Sequence, residues 1–262
     1  MTESTPVAPR PSATVAVVRE GEEAPEILLV RRRAGDAFGN AYTFPGGVVD
    51  HDESNAQVVC AGRTAAEANA ILSTADGLDF YSAAIRELFE ETGILLARDT
   101  TGDWPADAAA FVKQRAAVDR SELAWPDFLR SAGLCMAADA LHYFSWWETP
   151  IDYPKRWSAR FFAAVLPPGQ EADPDGKELT DSRWLTASKA LALQAAGELK
   201  LPQPTRRNLA LMAEFASVGA LMGWARSRHR AGIAKITPVH VVVDGVESWP
   251  IPGDPDYPVD LQ

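Results

Sequence analysis

Nine consecutive residues constrain this chain more than any others: Arg86-Glu87-Leu88-Phe89-Glu90-Glu91-Thr92-Gly93-Ile94. At about 100° per helical residue, Ile85, Leu88 and Phe89 fall in one stripe, and Glu87, Glu90 and Glu91 in another on nearly the opposite side. The apolar stripe predicts packing on a core, with three carboxylates converging outward. Gly93 stands where a glycine is expected to end a helix. Carboxylates at i, i+3 and i+4 repel one another and weaken an isolated helix. Either bulk water screens them or a cation neutralises them. A hard divalent ion takes oxygen ligands and leaves positions for waters or substrate phosphates. Alone, a glutamate-rich face is usually a solvated surface, so the surroundings decide.

Those surroundings are α/β in pattern. Apolar, β-branched runs at 13–19 and 27–31, split by a polar turn, predict a strand pair. Phe44-Pro45-Gly46-Gly47 stops a strand and bends the backbone, since Pro45 cannot donate to a ladder. Helices are expected over 57–72, 80–96, 111–118, 126–131 and 187–196, and strands over 143–148, 160–166 and 182–185. The segment 204–230 has proline near its start, helical spacing and a basic end, and predicts the longest helix. A last strand is expected at 239–243, then a proline-rich tail over 244–262. Residues 1–12 read as a flexible tail, and 13–262 as one domain with insertions.

Composition bounds the partners. With 25 basic and 36 acidic side chains the net charge is −11, which disfavours nucleic acid and anionic membranes. One small phosphorylated ligand is still compatible, held by a cation and a few arginines. No apolar run approaches the ~20 residues of a membrane span, and Met1 to Pro11 lacks the pattern of a signal peptide. Cys60 and Cys135 are too few and too far apart for a metal site, and read as reduced cysteines of a cytoplasmic protein. A homodimer is compatible with all of this.

The order of these features is similar to the Nudix box, G-x5-E-x7-R-E-U-x-E-E-x-G-U with U aliphatic. Gly47 and Glu53 fit its first half, and Arg86 through Ile94 fit every fixed position of its second. Thirty-two residues separate Glu53 from Arg86 where the family has seven, which reads as a helical insertion over 54–85 that loops out and leaves the box intact. Interrupted boxes occur in a subgroup resembling the peroxisomal coenzyme A diphosphatases. Trp147-Glu148-Thr149-Pro150, Pro154, Arg156 and Arg160-Phe161-Phe162 are similar to that subgroup's text.

The resemblance implies an α/β/α sandwich around a mixed β-sheet, with helical insertions and a C-terminal helix. It implies Mg2+-dependent hydrolysis (Mn2+ in its place) of a pyrophosphate in a nucleoside diphosphate linked to another moiety. Coenzyme A or acyl-CoA leads, with ADP-ribose or a nucleotide sugar as the alternative; an intact Glu90-Glu91 pair argues against a binding module that has lost catalysis. By the same resemblance Glu87, Glu90, Glu91 and the carbonyl of Gly47 become metal ligands, joined by Glu178 from a later loop. Arg86 orients the glutamates, with Glu53 as its usual partner, and Glu90 is the first candidate for general base. Arg31, Arg33, Lys155 and Arg156 are the basic groups expected to meet a small-molecule nucleotide substrate.

Overall fold

The computed structural model describes residues 7–33, 39–50, 53–105, 108–173, 179–228, 230 and 232–258. Along the chain run β1 (Arg10–Arg19), β2 (Glu26–Arg32), β3 (Tyr42–Thr43), β4 (Gly46–Val48), α1 (Glu53–Ala56), β5 (Cys60–Ala61), α2 (Ala65–Leu72), α3 (Gly77–Thr92), β6 (Ala97–Asp99), α4 (Val112–Asp119), α5 (Trp125–Ala132) and β7 (Leu134–Ala137). Then follow β8 (His142–Glu148), β9 (Trp157–Val165), β10 (Leu179–Thr186), α6 (Ala187–Ala195), α7 (Gln203–Met212), α8 (Val218–Arg228), β11 (Lys235–Ile236), β12 (Val241–Val243) and β13 (Val246–Ser248).

The main sheet has the order β10-β2-β1-β9-β8-β11, with β3 added to β2 and β4 to β1. It is mixed: β1 runs parallel to β9 and β8 to β11, and the other pairs are antiparallel. Helices cover both faces, which is why its central strands read as nearly continuous apolar runs. Side-chain alternation divides them. Ala13, Val15, Val17, Leu28 and Val30 pack with α3 in one core, while Ala16, Val18, Ile27 and Leu29 pack with α7 and α8 in the other. The result is an α/β/α sandwich around a mixed sheet.

The box helix α3 has a second layer on its far side. Phe89 stacks on Phe128 of α5 with centroids 5.2 Å apart and planes 2° from parallel. A small sheet, β5-β7-β6, completes this layer. The inserted segment is therefore a wall of the core rather than an appendage: β5 pairs with β7, and the Arg160 guanidinium donates to the carbonyl of Leu72 at the end of α2.

Several expectations need correction. The helix expected over 57–72 is a 3-10 turn (Gln57–Val59), the strand β5 and the shorter α2, whose start is fixed by a capping box between Thr64 and Glu67. The helix expected over 204–230 is two, α7 and α8, so the longest is α3. Between them Phe215 packs against Trp224 at 5.2 Å, and the Ser217 hydroxyl accepts from the amide of Ala220, so side-chain packing and a local cap outweigh helix continuity. The strand expected at 239–243 is one arm of a β12–β13 hairpin, which places the first residues of the expected proline-rich tail in structure. At the other end β1 begins at Arg10, inside the expected flexible tail, because Arg10 pairs with Trp157. No helix among the described residues is long and apolar enough to cross a membrane.

Candidate active site

Arg86 gathers both halves of the box around one guanidinium. Its Nε donates to Glu53 at 2.8 Å, its Nη1 to Glu90 at 2.9 Å, and its Nη2 lies 3.0 Å from Glu87 and 3.2 Å from Asp50. Nη2 also donates to the Val48 carbonyl at 3.2 Å. Glu53, 2% exposed, accepts in addition from the Ser82 hydroxyl. Helical spacing explains the meeting, since Ser82, Arg86 and Glu90 are successive i, i+4 neighbours on α3. The thirty-two inserted residues do not separate Glu53 from Arg86; they loop out and return.

The glycine pair explains how close β4 comes to this helix. A Cβ on Gly47 would sit 2.2 Å from the Glu87 carboxyl carbon, and one on Gly46 would sit 2.3 Å from the Ala13 carbonyl oxygen. Any side chain at Gly47 would push Glu87 away. Glu91, 4% exposed, accepts from the Gly46 amide at 2.8 Å and from Arg32 Nη2 at 3.2 Å. Arg32 also donates to the Gly46 carbonyl. The expectation of three outward carboxylates is thus corrected at Glu91, which is buried against β4.

Burial sets the electrostatics. It pushes Glu90 up to about 7, with Arg86 opposing and Glu87 adding to the rise. It likewise raises Glu53 and Glu87, again against the pull of Arg86. For Arg86 burial acts downward, but Glu87, Glu53 and Glu90 outweigh it and its proton is held more tightly than usual. A cleft of about 230 Å³ opens here, lined by Asp50, Glu87, Glu90, Glu91 and Asp119. The two guanidiniums of Arg86 and Arg32 do not offset that many carboxylates, and the all-oxygen donor set fits a hard divalent cation. In this arrangement no three His, Cys, Asp or Glu side chains among the described residues converge on one point, because Glu87 and Glu90 face Arg86 while Glu91 faces Arg32.

The other expected residues are scattered. Arg31 points to the opposite face of the sheet, where its Nε donates to Thr180 at 3.0 Å and its guanidinium lies 5.9 Å from the Tyr42 ring. Arg33 and Lys155 are exposed. Arg156 is buried and engaged, donating to the carbonyls of Thr149 and Val7 and to Glu148, so it is a structural tie rather than an open phosphate ligand. Glu178 lies outside the described residues. The arginine of the basic run that does reach the carboxylates is Arg32. Strand alternation carried that signal, since Leu28 and Val30 face α3 and Arg32 continues their row. Asp119 comes from α4 and had no signal in the sequence.

A family model of the NUDT19 Nudix domain matches residues 56–212. The chain belongs to the Nudix hydrolases. The match takes in most of the inserted segment and the whole second half of the box, from Arg86 to Ile94, and begins after Gly47 and Glu53. The acyl-coenzyme A diphosphatase NUDT19 of Xenopus laevis is 26% identical over 273 residues, covering 90% of this chain and 72% of that protein. The human protein of the same name is 28% identical over 190 residues, covering 68% of this chain. This Nudix hydrolase spans half the length of that human relative. The crystal structure of a NUDIX hydrolase from Alicyclobacillus acidocaldarius superposes with a TM-score of 0.67 at 25% identity, covering 82% of this chain and 96% of that one.

Proposed function

We propose that this Nudix hydrolase cleaves the pyrophosphate of coenzyme A or an acyl-CoA, giving 3′-phosphoadenosine 5′-phosphate and (acyl-)phosphopantetheine. The observation that carries the catalytic half of this reading is Arg86, which holds Glu53, Glu87 and Glu90 in one buried cluster. The substrate half is supported by relatives named acyl-coenzyme A diphosphatase.

Glu87, Glu90, Glu91 and the carbonyl of Gly47 would hold Mg2+, or Mn2+ in its place. When bound, the ion supplies neutralisation of the pyrophosphate oxygens and a lower pKa for the attacking water. The chain's own residues do the rest. Arg86 positions Glu87 and Glu90 by ion pairing, and Glu53 fixes Arg86 from behind. Arg32 and the Gly46 amide hold Glu91. Glu90 takes a proton from the attacking water. The water oxygen bonds to one phosphorus, the bridging P–O bond breaks, and its electron pair leaves with the other phosphate. Two phosphate monoesters result, with no change of oxidation state. The reading places this reaction in the cytoplasm, where free thiols such as Cys60 and Cys135 stay reduced.

The test compares kcat/KM for CoA, dephospho-CoA, ADP-ribose and NADH at one Mg2+ concentration and again in excess EDTA. CoA should exceed dephospho-CoA by about tenfold, the worth of a charge-assisted contact to its 3′-phosphate. EDTA should abolish turnover. A dephospho-CoA rate equal to that of CoA, or a preference for ADP-ribose, removes CoA as the substrate. Full activity in EDTA removes the metal.

A further inference from the structure

A second cavity, of about 500 Å³, lies along the same helix as the carboxylate cleft. Helix α4 contributes Val118 and Asp119 to the cleft and Val112 and Arg115 to this groove. From Val112 to Asp119 a helix rises about 10 Å. On α3 the neighbours Phe89 and Glu90 line the groove and the cleft in turn. A ligand whose reacting bond lies in the cleft can therefore extend along α4 without leaving the protein surface. The groove's size is ordinary for a small-molecule site.

Its lining selects the kind of group that fits. Phe89, Ala108 and Val112 make an apolar side, while Gln170, Glu171 and Asp173 edge the other. Arg115 is the basic side chain here; its Nε donates to the Glu90 carbonyl at 3.0 Å, and its Nη1 lies 3.6 Å from Asp173. Two carboxylates against one guanidinium disfavour a phosphate monoester. A neutral chain of alternating amides and methylenes suits the lining, its N–H groups donating to the acidic edge and its methylenes covering the apolar side. The acidic edge is also pinned in place. Gln170 bonds both the amide and the carbonyl of Leu95, at 2.8 and 3.1 Å, and the Asp173 amide donates to Thr92 at 2.7 Å.

We infer that this groove binds the pantetheine arm of the substrate, leaving the 3′-phosphorylated nucleotide to the other side of the cleft. This rests on the CoA reading above. Of the two groups flanking that pyrophosphate, only the arm is uncharged and part apolar.

Val112 is 55% exposed, so a larger side chain there fills the groove without disturbing the core. Val112→Trp should lower kcat/KM for CoA by about tenfold or more, mainly through KM, a loss of the size expected when a few methylene contacts go. Turnover of the methyl ester of 3′-phospho-ADP, which keeps nucleotide and pyrophosphate but lacks the arm, should stay within about twofold. Ala172→Trp, from the facing loop, should repeat the pattern. Equal losses on both compounds, or unchanged CoA kinetics in both variants, would overturn the groove while leaving CoA hydrolysis standing. Failure of the unaltered enzyme to hydrolyse CoA overturns the substrate reading, and the groove assignment falls with it.

Discussion

Arg86 and Arg160 are buried to similar extents, 9% and 4% exposed, yet their surroundings treat the charge in opposite ways. Arg86 sits among carboxylates. Arg160 lies over the Trp146 ring at 3.4 Å from its centroid, with Phe80 at 5.5 Å and Tyr143 at 5.9 Å. Its Nη2 donates to the Leu72 carbonyl, while Nε and Nη1 have no hydrogen-bond partner among the described residues. Burial lowers the Arg160 pKa despite the opposing pull of Tyr143 and Glu148, whereas that of Arg86 rises. Ring faces attract a guanidinium but satisfy few of its N–H groups. Carboxylates satisfy the N–H groups and hold one another's positions through it. The first arrangement fills space; the second fixes charge, which a reaction on an anionic substrate requires.

Removing each guanidinium separates the two cases. Arg86→Met leaves Glu53, Glu87 and Glu90 without their partner, and a broken buried pair costs about 3–5 kcal/mol. Denaturant titration at pH 7 in EDTA should show that loss, and separate assays with Mg2+ present should find activity abolished. A loss below about 1 kcal/mol would mean that the carboxylates do not depend on Arg86, and the contrast would collapse.

The next effect sharpens the charged side. Carboxyls raised by burial, Glu90 to about 7, bind protons more tightly in the folded than in the unfolded state. Their stabilisation is full below the ordinary carboxyl range and is lost as pH rises through about 7. Thermal melts of the metal-free protein should therefore fall between pH 5 and pH 7.5, on the order of 5 °C. Glu90→Gln should flatten the slope. An unchanged slope in that variant would assign the titration elsewhere.

The smallest effect belongs to the aromatic side. Arg160→Met replaces a buried cation by a side chain that packs well against rings, and such exchanges are often neutral. Stability should change by no more than about 1 kcal/mol. A loss as large as that of Arg86→Met would show that Arg160 also carries fixed charge.

The box was readable because its chemistry is local: Arg86, Glu87, Glu90 and Glu91 lie within two turns of one helix, and their spacing alone puts them on a face. Pairs formed across the chain were not readable in that way. β5, β6 and β7 are two to four residues long and exist only because they pair with one another. Asp119 enters the cleft through the packing of α4. The break at 213–217 depends on Phe215 finding Trp224. The hairpin at the end is different, for its signal was present. Asp244 and Gly245 both have positive φ, 52° and 78°, and Asp-Gly between valines marks a two-residue turn. In the basic run Arg31 and Arg33 were expected at the substrate, but strand parity sends Arg32 to the carboxylates.

The register of β1 has a consequence for assembly. Its antiparallel neighbours β2 and β4 follow closely in the chain, but its other neighbour is β9, with Arg10 opposite Trp157 and Val18 opposite Val165. On a ribosome β1 must wait, one edge open, until residue 165 has emerged. The loop closed by that pairing contains the inserted segment and all of α3, α4 and α5. Closing so long a loop is entropically costly and slow, and an open apolar strand invites wrong pairing meanwhile. The Gly46–Gly47 turn hangs on this strand, so the carboxylate cluster around Arg86 should be among the last parts of the molecule to acquire its final geometry, with activity returning later than helical signal in refolding.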